Sequence, residues 1–128
     1  MSKIVGILID VDDGTYRVKQ VEDSLESYYK ILKCDTIDIV TRKLHGKVFD
    51  IVCDDEALLK DRPKVSAFDS NLNRHLHGNL FITGTADAEG RLTSLTKEDI
   101  RHIRAHCMTE LDFIGSNRRT VLLYVGMP

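Results

Sequence analysis

The sequence predicts an α+β domain: a single, mostly antiparallel sheet of about six strands with two principal helices packed on one face. Three observations carry this prediction. Short runs rich in Ile, Val, Leu and Phe recur between Asp, Gly and Asn turn residues, too closely spaced for the dozen or more residues that a parallel crossover needs. Two segments carry apolar residues at helical spacing behind a capping residue. No repeat, linker or low-complexity tract divides the 128 residues, so residues 1–128 read as one domain, long enough to bury roughly two-thirds of its unfolded surface.

The first run, Ile4 to Asp10 (IVGILID), ends in Asp12, Asp13 and Gly14, and Tyr16, Val18 and Gln20 alternate with Arg17 and Lys19 beyond it. An Asp-Gly pair between two such runs predicts a hairpin. Asp10, Asp12 and Asp13 resemble the start of a calcium loop, but the later ligands and the closing Glu are missing, so they read as turn chemistry. Asp23 followed by Glu26 suggests a capping box, with Leu25, Tyr28, Tyr29 and Leu32 on one helical stripe beyond it. Ile37 to Thr41 and Lys47 to Cys53 read as two more strands around Leu44, His45 and Gly46. The second has apolar residues in both of its alternating sets, as a central strand does.

Gly78 to Ile103 holds the strongest signals. Leu80, Phe81 and Ile82, between Gly78 and Gly84, suit a strand covered on both sides. After a turn at Ala88 to Gly90, Thr96 is an N-cap, Asp99 completes its capping box, and Leu95 and Ile100 form a hydrophobic staple. Ile100, Ile103, Cys107 and Leu111 would form the buried stripe of that helix. Val121 to Val125 would be a last strand closing the sheet after a turn at Gly115 to Asn117.

Composition narrows the function. Lys plus Arg number 18 and Asp plus Glu 20, a net charge of −2, so neither the basic face that nucleic acid needs nor the acidic excess of a mimic is present. No apolar run approaches the roughly 20 residues of a membrane span, and Cys34, Cys53 and Cys107 form no C-x-x-C pair. A cytoplasmic protein with no nucleic-acid or membrane partner is expected, and no cofactor. His75 with His77 and His102 with His106 have chelating spacings. On the wheel, however, His102 and His106 fall at about 200° and 240° from Ile100, facing water, so no metal site is predicted. There is no nucleophile elbow and no phosphate loop, and the cysteines sit in apolar stripes where a thiol is inert.

Asp54 to His77 is the least regular part, a connection longer than compact domains keep without use, with one weak helical turn around Ala57 to Lys60. Asp54, Asp55 and Glu56 cluster at a strand end, followed by the basic Lys60, Arg62, Lys64 and Arg74 and by Asp69.

CDDEALLKDRPKVSAFD (Cys53 to Asp69), GNLFITG (Gly78 to Gly84) and LTKEDI (Leu95 to Ile100), in that order, resemble the domain-of-unknown-function family numbered 3846. The likeness runs to about His106, with Ala57 a departure where the family more often has glycine. The resemblance implies a small accessory protein of phages, plasmids and other mobile elements, with an anti-defence or regulatory role, and brings no activity with it. The reading that follows is a non-enzymatic binding module that engages a host protein or a small, polar, nucleotide-like ligand through Asp54, Asp55, Glu56, Lys60, Arg62, Lys64, Asp69 and Arg74. The alternatives are a small hydrolase using Asp54, Asp55 or Glu56 with a divalent metal, and a structural or homo-oligomerising unit pairing edge strands such as Val121 to Val125.

Overall fold

The architecture is built outward from one short, fully buried strand. The structure, a computed structural model, describes residues 3–59, 65–69, 74–112 and 119–125, with strand positions 69, 74–75, 109–112 and 119–125 given by their backbone path. In chain order the elements are β1 (Lys3–Asp10), β2 (Thr15–Glu22), α1 (Leu25–Leu32), β3 (Ile37–Leu44), β4 (Lys47–Asp54), a 3-10 turn (Ala57–Leu59), β5 (Val65–Asp69), β6 (Arg74–His77), β7 (Leu80–Thr83), α2 (Lys97–His106), β8 (Met108–Asp112) and β9 (Arg119–Val125).

Two hairpins flank β7. The first pairs Lys3 with Glu22 through Asp10 with Thr15, around a loop that ends in Gly14 at φ 65°. The Asp10 carboxylate accepts the N–H groups of Asp12 and Asp13 at 3.0 and 3.1 Å, so this acidic run is turn chemistry, as its sequence suggests. The second pairs Ile37 with Asp54 through Leu44 with Lys47, around His45 and Gly46 at φ 50° and 84°, the two positive values of a type I′ turn. Between the hairpins, β7 runs antiparallel to both β1 and β4, so that Phe81 lies opposite Leu8 on one side and Val52 on the other. The result is an antiparallel sheet of order β2-β1-β7-β4-β3. Gly6 makes the close fit with β7 workable: a Cβ there would collide with the Ile82 carbonyl oxygen and the Phe81 ring.

Every residue of β7 is buried, and its alternation divides the core. Phe81 joins Ile4, Leu8 and Val52 on one face, where Tyr28 and Leu32 of α1 cover them. Leu80 and Ile82 join Ile7, Ile9, Phe49 and Ile51 on the other, under Ile103 of α2, its C-cap Cys107 and Ala67 of β5.

The fold is α+β, but the expected arrangement of its layers is corrected. The helices take opposite faces, because a sheet apolar on both sides needs two covers. Nor is there a single sheet of about six strands: five form the central sheet, and β6, β5, β9 and β8 form a second in that order. The segment Asp54 to His77, expected to be irregular, supplies two of the strands of this second sheet. β5 pairs with β6 through register shifts and runs parallel to β9, Ala67 opposite Leu123, while β8 and β9 are antiparallel. β9 therefore completes the second sheet rather than closing the first. The turn expected at Gly115 to Asn117 lies outside the described residues.

Local capping explains the helices. Ser24, one residue after the expected Asp23, caps α1 by accepting the Ser27 N–H, and Asp23 instead accepts the Tyr28 hydroxyl at 2.6 Å. Thr96 and Asp99 form the expected reciprocal box on α2. That helix stops at His106, so Leu111, expected on its stripe, lies in β8. Among the described residues no helix is long and apolar enough to cross a membrane.

Candidate functional site

β4 ends in Asp54, and the chain turns there because the Asp54 carboxylate accepts the Glu56 N–H at 2.9 Å. The Leu59 N–H then donates to the Glu56 carbonyl at 3.0 Å, which closes the 3-10 turn. Ala57 tucks inward, within ordinary contact distance, 3.5 Å, of where a Cβ on Gly78 would stand. Leu58 and Leu59 are left outward, 66% and 82% exposed. The turn borders a cleft of about 410 Å³, whose apolar wall includes Val40 and Leu76 and whose rim carries Asp38, Asp55 and Glu56.

The structure thus brings Asp54, Asp55 and Glu56 to one cleft but gives them different work. Asp54 is buried and spent on the turn, whereas Asp55 and Glu56 are exposed. Lys60, Arg62 and Lys64 lie outside the described residues. Asp69 ends β5 opposite Val125, and Arg74 opens β6 opposite Phe68. Among the described residues, the rim of this cleft is acidic.

Cys53 lies at the floor, its thiol donating to the Asp38 carbonyl at 3.5 Å. Burial, then the negative charge of Asp38, pushes its pKa to about 11, with Arg42 opposing and Asp55 and Asp54 adding. Burial alone takes Cys107 to about 11. Both thiols stay protonated at neutral pH and are poor nucleophiles there. All three cysteines are buried.

Sequence reasoning missed two groupings. The first is a histidine trio. The His45 ring stacks on His106 with centroids 4.2 Å apart and planes at 8°, and lies 5.7 Å from His102. His102 is half-buried rather than facing water, its Nε2 2.8 Å from the Leu44 carbonyl oxygen. The break between two strands at Leu44, His45 and Gly46 was visible, but not that it would dock on α2, with Leu44 and His102 lying 58 residues apart. Among the described residues, no group of three His, Cys, Asp or Glu side chains is disposed to hold a metal ion. The second grouping is cationic: Arg17 and Lys19 from β2 meet Lys30 and Lys33 from α1. Its signal was present as spacing, two apart on a strand and three apart on a helix.

The model of a family described as a domain of unknown function, DUF3846, matches residues 3–108. The chain belongs to this family. The matched part of the DUF3846 domain contains the whole central sheet, both helices, β5 and β6 and the acidic cleft, and stops at the first residue of β8. No curated protein and no solved structure matches the chain.

Proposed function

We propose that this DUF3846 domain is a non-enzymatic binding module, and that the cleft at the end of β4 receives a protein segment carrying basic and apolar side chains. One observation carries the reading: two outward leucines, Leu58 and Leu59, stand beside an acidic rim on a turn pinned from below by Asp54 and Ala57. Isolated exposed apolar residues are ordinary. A pair on a fixed turn, next to Asp55, Glu56 and an apolar wall, has the makeup of a small interface with a charged edge. In the setting that the family resemblance implies, an accessory protein of a phage or mobile element, the partner is a protein of the host, and the effect is regulatory or counter-defensive. A small nucleotide-like ligand suits this cleft less well, because the described rim would repel its phosphates.

The test uses defined peptides. A panel of basic amphipathic peptides and charge-reversed counterparts is titrated against the labelled domain by fluorescence anisotropy. The basic peptides should bind and weaken with added salt, and the Leu58→Ser/Leu59→Ser variant should lose about tenfold in affinity, the loss of roughly 1.4 kcal/mol that a modest hot spot carries. Glu56→Lys should act in the same direction. Equal binding of both peptide sets, or affinities indifferent to the leucine variant, would remove the proposal.

A further inference from the structure

We propose a second binding site, independent of the acidic cleft, in which the groove between β2 and α1 takes a small molecule bearing two or more phosphate groups. The strand period sets half of it. Arg17 and Lys19 share with Val21 the face of β2 that turns toward α1. The helix sets the rest: Lys30 stands in its last turn, and Lys33 is its C-cap, held in the left-handed region at φ 56° while its N–H bonds the Tyr29 carbonyl. These four cations surround a groove of about 350 Å³, floored by Leu8, Val21 and Ile31 and bordered by the carboxylates of Asp10 and Glu22. With Asp12, which also faces Lys33, four positive charges against three leave the groove at +1, in a chain whose net charge is −2.

Pairing within the protein does not account for this concentration. Lys33 is satisfied, its Nζ lying 3.7 Å from Asp10 and 3.8 Å from Asp12. Arg17, Lys19 and Lys30 have no ion-pair partner among the described residues. The partial negative charge at the end of α1 favours cations nearby and so explains Lys30 and Lys33, but it reaches only the last turn and leaves Arg17 and Lys19 on their strand unexplained. An anion seated among the three unpaired cations would relieve their mutual repulsion.

The ligand class follows from count and shape. A phosphate takes charge-assisted bonds from two cations, and an arginine fork can supply a bidentate pair, so three free cations with Lys33 alongside match two phosphates rather than one. The volume is at the small end of the roughly 300–1,000 Å³ of ligand pockets, and the apolar floor offers a seat for an uncharged moiety. A nucleic-acid backbone fits poorly, since Asp10, Asp12 and Glu22 interrupt any continuous basic track.

Calorimetric titration of the full chain with inorganic pyrophosphate, orthophosphate, sulfate and a single-stranded oligonucleotide tests the assignment. Pyrophosphate should bind saturably, about tenfold more tightly than orthophosphate or sulfate, and weaken with salt. Arg17→Ala with Lys30→Ala should abolish that preference, Arg17→Lys should keep part of it, and Arg91→Ala, a remote exposed cation paired with Glu89, should leave it intact. These positions are on the surface, and circular dichroism is the check that each variant is folded. Leu58→Ser should leave pyrophosphate binding untouched, which separates this site from the acidic cleft. Pyrophosphate binding no tighter than sulfate, or unchanged in the double variant, or an oligonucleotide that binds more tightly than pyrophosphate, would each overturn the proposal.

Discussion

The two faces of β7 are covered by different means. On one, α1 lies over Phe81, Leu8 and Val52 with help from Cys34 and Leu92, and it is fastened by a buried tyrosine whose hydroxyl donates to Asp23. On the other, α2 shares the cover with β5 of a second sheet, and its fastening is ionic: the Lys47 ammonium on the β3–β4 hairpin donates to the buried Asp99 carboxylate at the first turn of the helix. One face depends mainly on a helix from a neighbouring stretch of chain, the other on a helix and a strand of a second sheet brought from far apart. Grooves at the margins of a cover are where side chains stay both exposed and fixed, and the basic groove lies at the margin of α1.

If both faces are essential, truncating either should be severe. Phe81→Ala, facing α1, should cost about 3–5 kcal/mol, and Ile82→Ala, facing α2, about 2–5 kcal/mol, read as loss of stability in urea. A loss under 1 kcal/mol at Ile82 would mean that the second cover contributes little. Gly6→Ala pushes a methyl into the Phe81 ring and the Ile82 carbonyl, on the α1 face, and should cost about 1–3 kcal/mol. Combined with Phe81→Ala it should cost less than the sum, because the ring it strikes is gone.

The next test weighs the ionic fastening. Burial raises the pKa of Asp99, but hydrogen bonds from Lys47 and Thr96 outweigh it and hold the carboxyl below its usual range. A depressed carboxylate contributes stability that is present above the ordinary Asp pKa of about 3.9 and lost as pH falls through the lower folded value. Asp99→Asn should flatten that acid limb of the stability profile. Thr96→Ala, which removes the cap, should cost about 1 kcal/mol at neutral pH. An acid limb unchanged in Asp99→Asn would assign the loss to other carboxylates.

These contrasts also explain what the sequence could disclose. The capping box at Thr96 and Asp99, both hairpins and the burial of Leu80 to Ile82 are local signals, each decided within a few residues, and they are read directly. The two-cover architecture was implied by the same run, since a strand apolar on both alternating faces cannot be served by helices on one side. The second sheet was not legible: β5 and β6 are 5 and 4 residues long, their pairing is broken by register shifts, and β5 meets β9 from 56 residues away, Ala67 against Leu123. Of the candidate site, the acidic strand end and the helical turn after it were visible, but not that Leu58 and Leu59 would face outward from that turn. The basic groove needed knowledge of which face of β2 the helix would cover.

The smallest expected effect isolates the α1 fastening. Burial, then the hydrogen bond to Asp23 and its negative charge, raises the Tyr28 pKa well above the ordinary tyrosine value. A raised phenol contributes stability that is complete below about pH 10 and lost as pH climbs through the unfolded value toward the folded one, because only the unfolded chain releases that proton. Tyr28→Phe keeps the ring against Phe81, 6.2 Å between centroids, and removes only the hydroxyl, so it should cost roughly 0.5–1 kcal/mol at neutral pH and flatten the alkaline limb. If the alkaline limb of the Phe variant matched that of the unaltered protein, the hydroxyl would not be the fastening, and α1 would be held by packing alone.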